Sequence, residues 1–452
     1  MKKIYLALFL ASFFIGNAQI NWKRSVANGN LPAWMATANN ERGMAALNDK
    51  MYVVSRGAPG AVPPIAPIIR VINGVDGTDA AANVSNYTGL IGGNVLINDV
   101  EVSANGAILA CNLMVNGYVS PANDNSTFKI YKWDSETAVP TLYASYNGPS
   151  LTEQVRLGDT FSVTGNITGN AVIFAAGRTV APTTGFRVIR WIVTGGVLAT
   201  TPNVITIPAL SASTTIVSVT PLGLTAASQF IVKASGNLMT LHNSDGTVVP
   251  GESIPEAVLP KSANDIRYFE VGVKKYVAAY LYGGTNELAK LIDVTAGFAS
   301  AFTVAVTPAL GTVSNGNTSG GIGLKVVPDL VDGIANTITV YTLAGNNGIS
   351  GTTLVNNGTT VVLGTDAFTA IDAQKAAKIF PNPATSEFHI VIDTNLEKEA
   401  QAFIYDIQGR QVKSTKISDN IQAVNIQDLS AGEYLVKVNN GKNNTTLKLL
   451  KK

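Results

Sequence analysis

Asn98-Asp99-Val100-Glu101-Val102-Ser103-Ala104-Asn105-Gly106, running into Ala107-Ile108-Leu109-Ala110-Cys111, is one of three similar openings in this chain. Gly158-Asp159-Thr160-Phe161-Ser162-Val163 leads in the same way to Ala171-Val172-Ile173-Phe174-Ala175. Asn264-Asp265-Ile266-Arg267-Tyr268-Phe269 leads to Tyr276-Val277-Ala278-Ala279-Tyr280. Weaker versions open at Glu41-Arg42-Gly43-Met44, Val219-Thr220-Pro221-Leu222 and Ser319-Gly320-Gly321-Ile322. The starts fall at about 41, 98, 158, 219, 264 and 319, a step of 45 to 61 residues. Alternating third strands are visible at Ile69–Ile72, Phe128–Trp133, Phe186–Trp191 and Ile338–Tyr341, the middle two both ending in Trp. About four strands per unit and six units are what a six-bladed β-propeller requires. A long β-solenoid has shorter coils, and a run of sandwiches would not give matched openings. The expected class is therefore all-β, with a propeller-like domain over 19–365.

The last 75 residues read differently. Residues 19–374 hold 19 basic and 22 acidic residues, whereas 375–452 hold 11 and 8, about twice the density. Asp366 to Ala377 is small and polar and reads as a linker over 366–377. After it, Phe380-Pro381-Asn382-Pro383 cannot be helix or central strand, because proline fixes φ and lacks an N–H. Short alternating runs follow at Phe388/Ile390/Ile392, Phe403/Tyr405/Ile407, Val424/Ile426, Tyr434/Val436/Val438 and Leu447/Leu449. Asn439-Asn440-Gly441 is a hairpin signal. These features predict a small C-terminal β-sandwich over 378–452.

Several motifs in that segment occur in a fixed order: Phe380-Pro381-Asn382-Pro383, Ile404-Tyr405-Asp406-Ile407-Gln408-Gly409-Arg410, Leu429-Ser430-Ala431-Gly432-Glu433-Tyr434, and Lys452 at the end. Together they resemble the type A sorting domain of the type IX secretion system of Bacteroidota, along the whole of 378–452. The resemblance implies that Pro381, Asn382, Pro383, Gly409, Arg410, Gly432, Tyr434 and Lys452 form a signal read by an outer-membrane translocon. It also implies that a sortase-like peptidase removes the segment, and that the protein is released or attached to the outer surface. The propeller-like part resembles secreted domains of the same phylum in its blade grammar and carries no catalytic motif with it.

Residues 1–18 read as a signal peptide: Lys2 and Lys3, an apolar run from Ile4 to Ile15, then Gly16-Asn17-Ala18 before Gln19. That run is too short to span a membrane, and no later run is longer, so no membrane-spanning segment is expected. The net charge of +2 argues against nucleic acid as a partner. Cys111 is the only cysteine, so no disulfide can form within the chain, and its apolar setting reads as core.

In a propeller the innermost strands start around one mouth. Asp99, Asp159 and Asp265 occupy matched starts, with Glu41 and Arg42 in the corresponding place of the first unit, and the five are the candidate ligand-binding residues. Converging carboxylates could hold Ca²⁺, bind sugar hydroxyls or serve as an acid/base pair. The same Asn-Asp and Gly-Asp pairs equally suit side-chain caps on turns. Other chemistry is sparse. His242 and His389 are the only histidines; His242 precedes an Asp-Gly turn and reads as a surface residue, and no Gly-x-Ser-x-Gly elbow exists. Asp76-Gly77-Thr78-Asp79 lacks a full calcium-loop spacing and reads as a turn. Of the four tryptophans, Trp133 and Trp191 fit blade packing better than sugar stacking. The poverty of catalytic groups favours a domain that binds a glycan or protein without catalysis, with no resident cofactor. A carboxylate-based polysaccharide-degrading enzyme and a purely structural adhesion protein are the alternatives.

Overall fold

The computed structural model describes residues 19–35, 40–56, 66–117, 127–147, 154–181, 185–207, 216–283, 287–328, 335–355, 377–392, 400–406, 410–439 and 444–452. The expected signal peptide lies outside the described residues, as does the expected linker apart from Ala377. The chain divides into two compact units, residues 1–360 and 361–452.

The apolar runs of the first unit become strands buried on both faces, because each sheet is packed between two others. Six antiparallel meanders follow one another along the chain. Their innermost strands are β1 (Glu41–Leu47), β2 (Val95–Val102), β3 (Phe161–Gly165), β4 (Val217–Pro221), β5 (Ala263–Val271) and β6 (Gly320–Pro328). Each packs on the next, and β6 packs back on β1, so the ring closes. These are the blades of a six-bladed propeller, numbered here by their innermost strands. The strand Gln154–Leu157 joins the sheets of blades 2 and 3 by pairing with both of their second strands.

The apolar core is divided among the seams between blades. Alternate residues of one strand serve opposite seams, the period of two that a strand imposes. On the second strand of blade 2, Ile108 and Ala110 join Tyr52, Val54 and Val71 of blade 1. Leu109 and Cys111 join Ile173, Ile189 and Trp191 of blade 3. Four further clusters fill the remaining seams, so there are as many cores as blades. Cys111 is fully buried, and Trp133 and Trp191 are core residues. The outermost strands are amphipathic, as Thr141–Tyr146 and Asn203–Ile207 show.

Two elements depart from the sequence reading. Ile338–Tyr341 lies on the second strand of its blade, not the third, because the outermost strand of blade 6 comes from the opposite end of the domain. Gln19–Ser25 pairs antiparallel with Gly348–Val355, the third strand of that blade. His242 is not at the surface. It ends the strand Thr240–His242, is fully buried, and its ring stacks on Phe230 at 5.6 Å. Both ring nitrogens have partners, the Thr240 hydroxyl at 2.8 Å and the Gly246 carbonyl at 2.9 Å.

The second unit is a sandwich of a three-stranded and a four-stranded antiparallel sheet. Phe388, Ile390 and Val424 of the first meet Ile404, Val436, Val438 and Leu449 of the second. On Gln401–Asp406 the inward residues are Ala402 and Ile404, while Phe403 and Tyr405 are half-buried, the reverse of the alternation expected from their size. Ala377 opens the first strand, Ala377–Phe380, so regular structure starts one residue before the expected boundary. The motif residues do local structural work. Asn382 accepts from the Leu450 N–H at 2.9 Å and donates to the Lys448 carbonyl at 2.7 Å, between two exposed prolines. Arg410 forms an ion pair with Asp406 at 2.7 Å, and the Tyr434 hydroxyl donates to Ser430 O at 2.8 Å. The Lys452 N–H donates to Ala384 O at 2.9 Å. Gly432 begins the strand Gly432–Asn439, and Gly409 lies outside the described residues.

Candidate functional site

The innermost strands start around a cleft of about 250 Å³. Arg42, Asp99, Asp159 and Asp265 line it, as the sequence led one to expect; Glu41 does not. Glu41 is fully buried behind Arg42, and its Oε1 accepts from Ser55 Oγ at 3.2 Å, which in turn accepts from Arg70 Nε at 2.9 Å. Burial pushes the Glu41 carboxyl above its usual range. Its face is set by β1: a residue beside the mouth in sequence points into the strand's seam when its neighbour points into the cleft.

Asp99 and Asp265 are equivalent, and they bridge blades. Asn98 donates to Gly158 O at 2.7 Å, in the approach to blade 3, and Asn264 donates to Thr318 O at 2.9 Å, in the approach to blade 6. Asp99 then accepts from the Phe161 N–H at 2.8 Å and from its own neighbour Val100 at 2.9 Å. Asp265 accepts from the Ile322 N–H at 2.7 Å and from Arg267 at 2.5 Å. Each Asn-Asp pair thus brackets the innermost strand of the following blade. The expected turn-capping role is real in kind, but its target is the next blade rather than the Asp's own turn.

Asp159 is not equivalent. It precedes β3, and Arg156 holds it fork to fork at 2.5 and 2.7 Å. In the bracket geometry Gly158 is the receiver and supplies the carbonyl that Asn98 grips. The similarity of Gly158-Asp159 to Asn98-Asp99 therefore marks a receiving loop, not a third bracket.

Blades 2 and 5 stand opposite each other in a ring of six, and a charge cluster joins them across the axis. Arg267 of β5 reaches both Asp265 and, in β2, Glu101. Asp99, Glu101 and Asp265 are each nearly fully buried. Burial raises all three carboxyls; the charge of Asp265 adds to the rise at Asp99, and Arg267 opposes it at Glu101 and Asp265. Burial alone would lower Arg267, but the surrounding carboxylates outweigh it and keep the guanidinium charged. Three carboxyls around one cation would carry two net negative charges if all ionised, and a buried site resists that.

Residues that the sequence reading passed over complete the cleft. Arg56 and Arg156 line it with Arg42, and Asn98 and Asn264 line it from opposite blades. Arg56 had a detectable signal: Glu41 pairs with Ser55 across the blade 1 hairpin, so the residue after Ser55 must emerge at the same mouth. The Arg42 guanidinium is pushed down to about 10 by burial and by Arg56, with Asp159 and Glu41 offsetting part of this. The amide oxygens of Asn98 and Asn264 are both buried without a partner among the described residues. Among those residues, no group of three or more His, Cys, Asp or Glu side chains is placed to hold a metal ion.

Residues 378–452 match the secretion system C-terminal sorting domain, and they are a type IX sorting domain. This directs the chain to the type IX secretion machinery, and so to secretion or to attachment at the outer surface. Among the described residues no helix is long and apolar enough to cross a membrane. Residues 54–248 match a domain of unknown function (DUF8500), which begins in the second strand of blade 1 and ends in blade 4. No curated protein matches the chain in sequence. The structure is similar to a DUF4623 family protein from Bacteroides eggerthii, at 18% identity and a TM-score of 0.55, over 75% of this chain and 76% of that one. An α-L-arabinofuranosidase of Fusarium graminearum aligns at 9% identity and a TM-score of 0.45, over 75% and 98%. PorZ, a surface component of the type IX system of Porphyromonas gingivalis, aligns at 12% identity and a TM-score of 0.35, over 91% and 51%. The last two superpose loosely, and at these identities the likeness is one of fold.

Proposed function

We propose that the propeller is a non-catalytic binding domain that receives a glycan in its axial cleft after export. One observation carries this reading. Asp99 and Asp265 have both carboxyl oxygens engaged by backbone N–H groups or Arg267, whereas the buried amide oxygens of the cleft-lining Asn98 and Asn264 have no donor among the described residues. Sugar hydroxyls are donors of the right kind, and an unmet buried acceptor costs about 1–3 kcal/mol, which a bound hydroxyl would recover. A glycoside hydrolase needs one carboxyl free to give a proton and another free to attack or to activate water. Asp159 is the remaining candidate at the lip, and Arg156 occupies it. The sorting domain would be removed by a peptidase acting between residues 366 and 377.

The test is affinity electrophoresis and calorimetry of the full chain with a panel of soluble polysaccharides, with a reducing-end assay on the same mixtures. The expected result is retardation by at least one polysaccharide, weakened about tenfold in Asn98→Ala/Asn264→Ala, with no new reducing ends. Product formation abolished by Asp99→Asn would install the enzyme reading instead. Failure of every polysaccharide would favour the structural one.

A further inference from the structure

Two arginines at the axis have counter-ions. Arg267 has Asp265 and Glu101, and Arg156 has Asp159. Further out, Arg24 has Asp79 at 2.6 Å, and Arg410 in the second unit has Asp406. Arg42 and Arg56 break this pattern. Arg42 donates to the Ser319 hydroxyl at 2.5 Å and makes no ion pair among the described residues. Arg56 makes neither an ion pair nor a side-chain hydrogen bond among them. Both line the same cleft. Two like charges placed together, one of them largely buried, destabilise a fold unless something answers them. Asp159 and the buried Glu41 are close enough to be felt at Arg42, but Arg156 already holds both Asp159 oxygens and Glu41 accepts from Ser55.

The geometry points to an anionic sugar as the ligand, with its carboxylate or sulfate group held between Arg42 and Arg56. This rests on the cleft being a glycan site and specifies which class of glycan it takes. Guanidinium groups suit this task because they donate in a planar fork that matches a carboxylate or sulfate edge. From blades 2 and 5 the cleft is also lined by Asn98 and Asn264, whose amide oxygens would accept from hydroxyls. One sugar residue carrying an acidic group and free hydroxyls satisfies both sets of groups. A neutral sugar would leave the arginine pair unanswered.

The test measures binding of the full chain to an oligogalacturonate, a dextran sulfate and a neutral dextran, at low and at physiological salt. Tighter binding to one or both acidic polymers than to the neutral one, by about tenfold or more, is expected. Arg42→Gln/Arg56→Gln should remove that advantage. Lys275→Gln, an exposed cation on the hairpin tip at the far end of β5, should change nothing, which separates a built subsite from general charge attraction. Arg56→Gln is also measured alone, since the Arg56 side chain makes no hydrogen bond or ion pair among the described residues. Which acidic polymer binds more tightly distinguishes carboxylate from sulfate. Equal binding of acidic and neutral polymers, or an acidic preference that survives Arg56→Gln, overturns the subsite while leaving the cleft reading intact. Failure of all three polymers to bind, at either salt, overturns both.

Discussion

The junction between blades 2 and 3 and the approach loop of blade 3 hold two aspartates that look alike in sequence and do opposite things. Asp99 is buried, gives its two oxygens to backbone donors and ties one blade to the next. Asp159 stands at the lip of the cleft and answers a single arginine. The difference teaches that the letter pattern before an innermost strand records two roles, bracket and receiver. Only the preceding Asn identifies the bracket, because only its amide can grip the receiving carbonyl.

The sharpest way to break this comparison is to remove the cation that the brackets share. Arg267→Met leaves three buried carboxyls facing one another, and denaturant unfolding should show a loss of about 3–5 kcal/mol. Asp99→Ala should cost about 2–3 kcal/mol by orphaning the Phe161 and Val100 N–H groups, against about 1 kcal/mol for Asp159→Ala at the lip. Equal losses would mean that the two junctions are equivalent after all. Gly43→Ala probes the bracket from the neighbouring blade. Its added Cβ would sit 1.6 Å from Asp99 Oδ1, so about 1–3 kcal/mol is expected, whereas Gly29→Ala, with nothing within 4 Å, tests the backbone effect alone.

The remaining effect is in pH. The axial carboxyls have folded pKa values above the ordinary value near 4, so the folded state binds their protons more tightly than the unfolded state does. Their contribution is therefore greatest below pH 4 and is lost as pH rises through the raised values. Between pH 4.5 and 8 the unfolding free energy should therefore fall steadily as pH rises. Glu101→Gln, which keeps an oxygen for Arg267, should flatten that slope, and Asp159→Asn should not.

Blade starts were legible because the second strand of each blade is buried on both sides and must be an unbroken apolar run. The expected starts near 98, 264 and 319 fall within a few residues of β2, β5 and β6. The candidate site was legible in part. Arg42, Asp99, Asp159 and Asp265 were gathered at one mouth from the grammar of the repeat alone. What the grammar lacks is the far end of each hairpin, so Arg56 and Arg156 went unnoticed although strand pairing carries them to the same place. His242 misled because its Asp-Gly turn is at the surface while the residue before it is still in the strand. On Gln401–Asp406 the larger residues drew the inward face, but Ala402 and Ile404 are the ones that fill the sandwich. Nothing local to Gln19–Ser25 announces its partner, since Gln19 pairs with Thr353.

That pairing sets an order of events. Gln19–Ser25 is synthesised before any of the six blades, yet it has no place until Gly348–Val355 exists to receive it. Until the two meet, Gly348–Val355 is a bare sheet edge, with a row of N–H and C=O groups that any other extended chain could take. The propeller is therefore latched by its oldest segment at its newest sheet. An unlatched ring would therefore leave open an edge that the closed one covers.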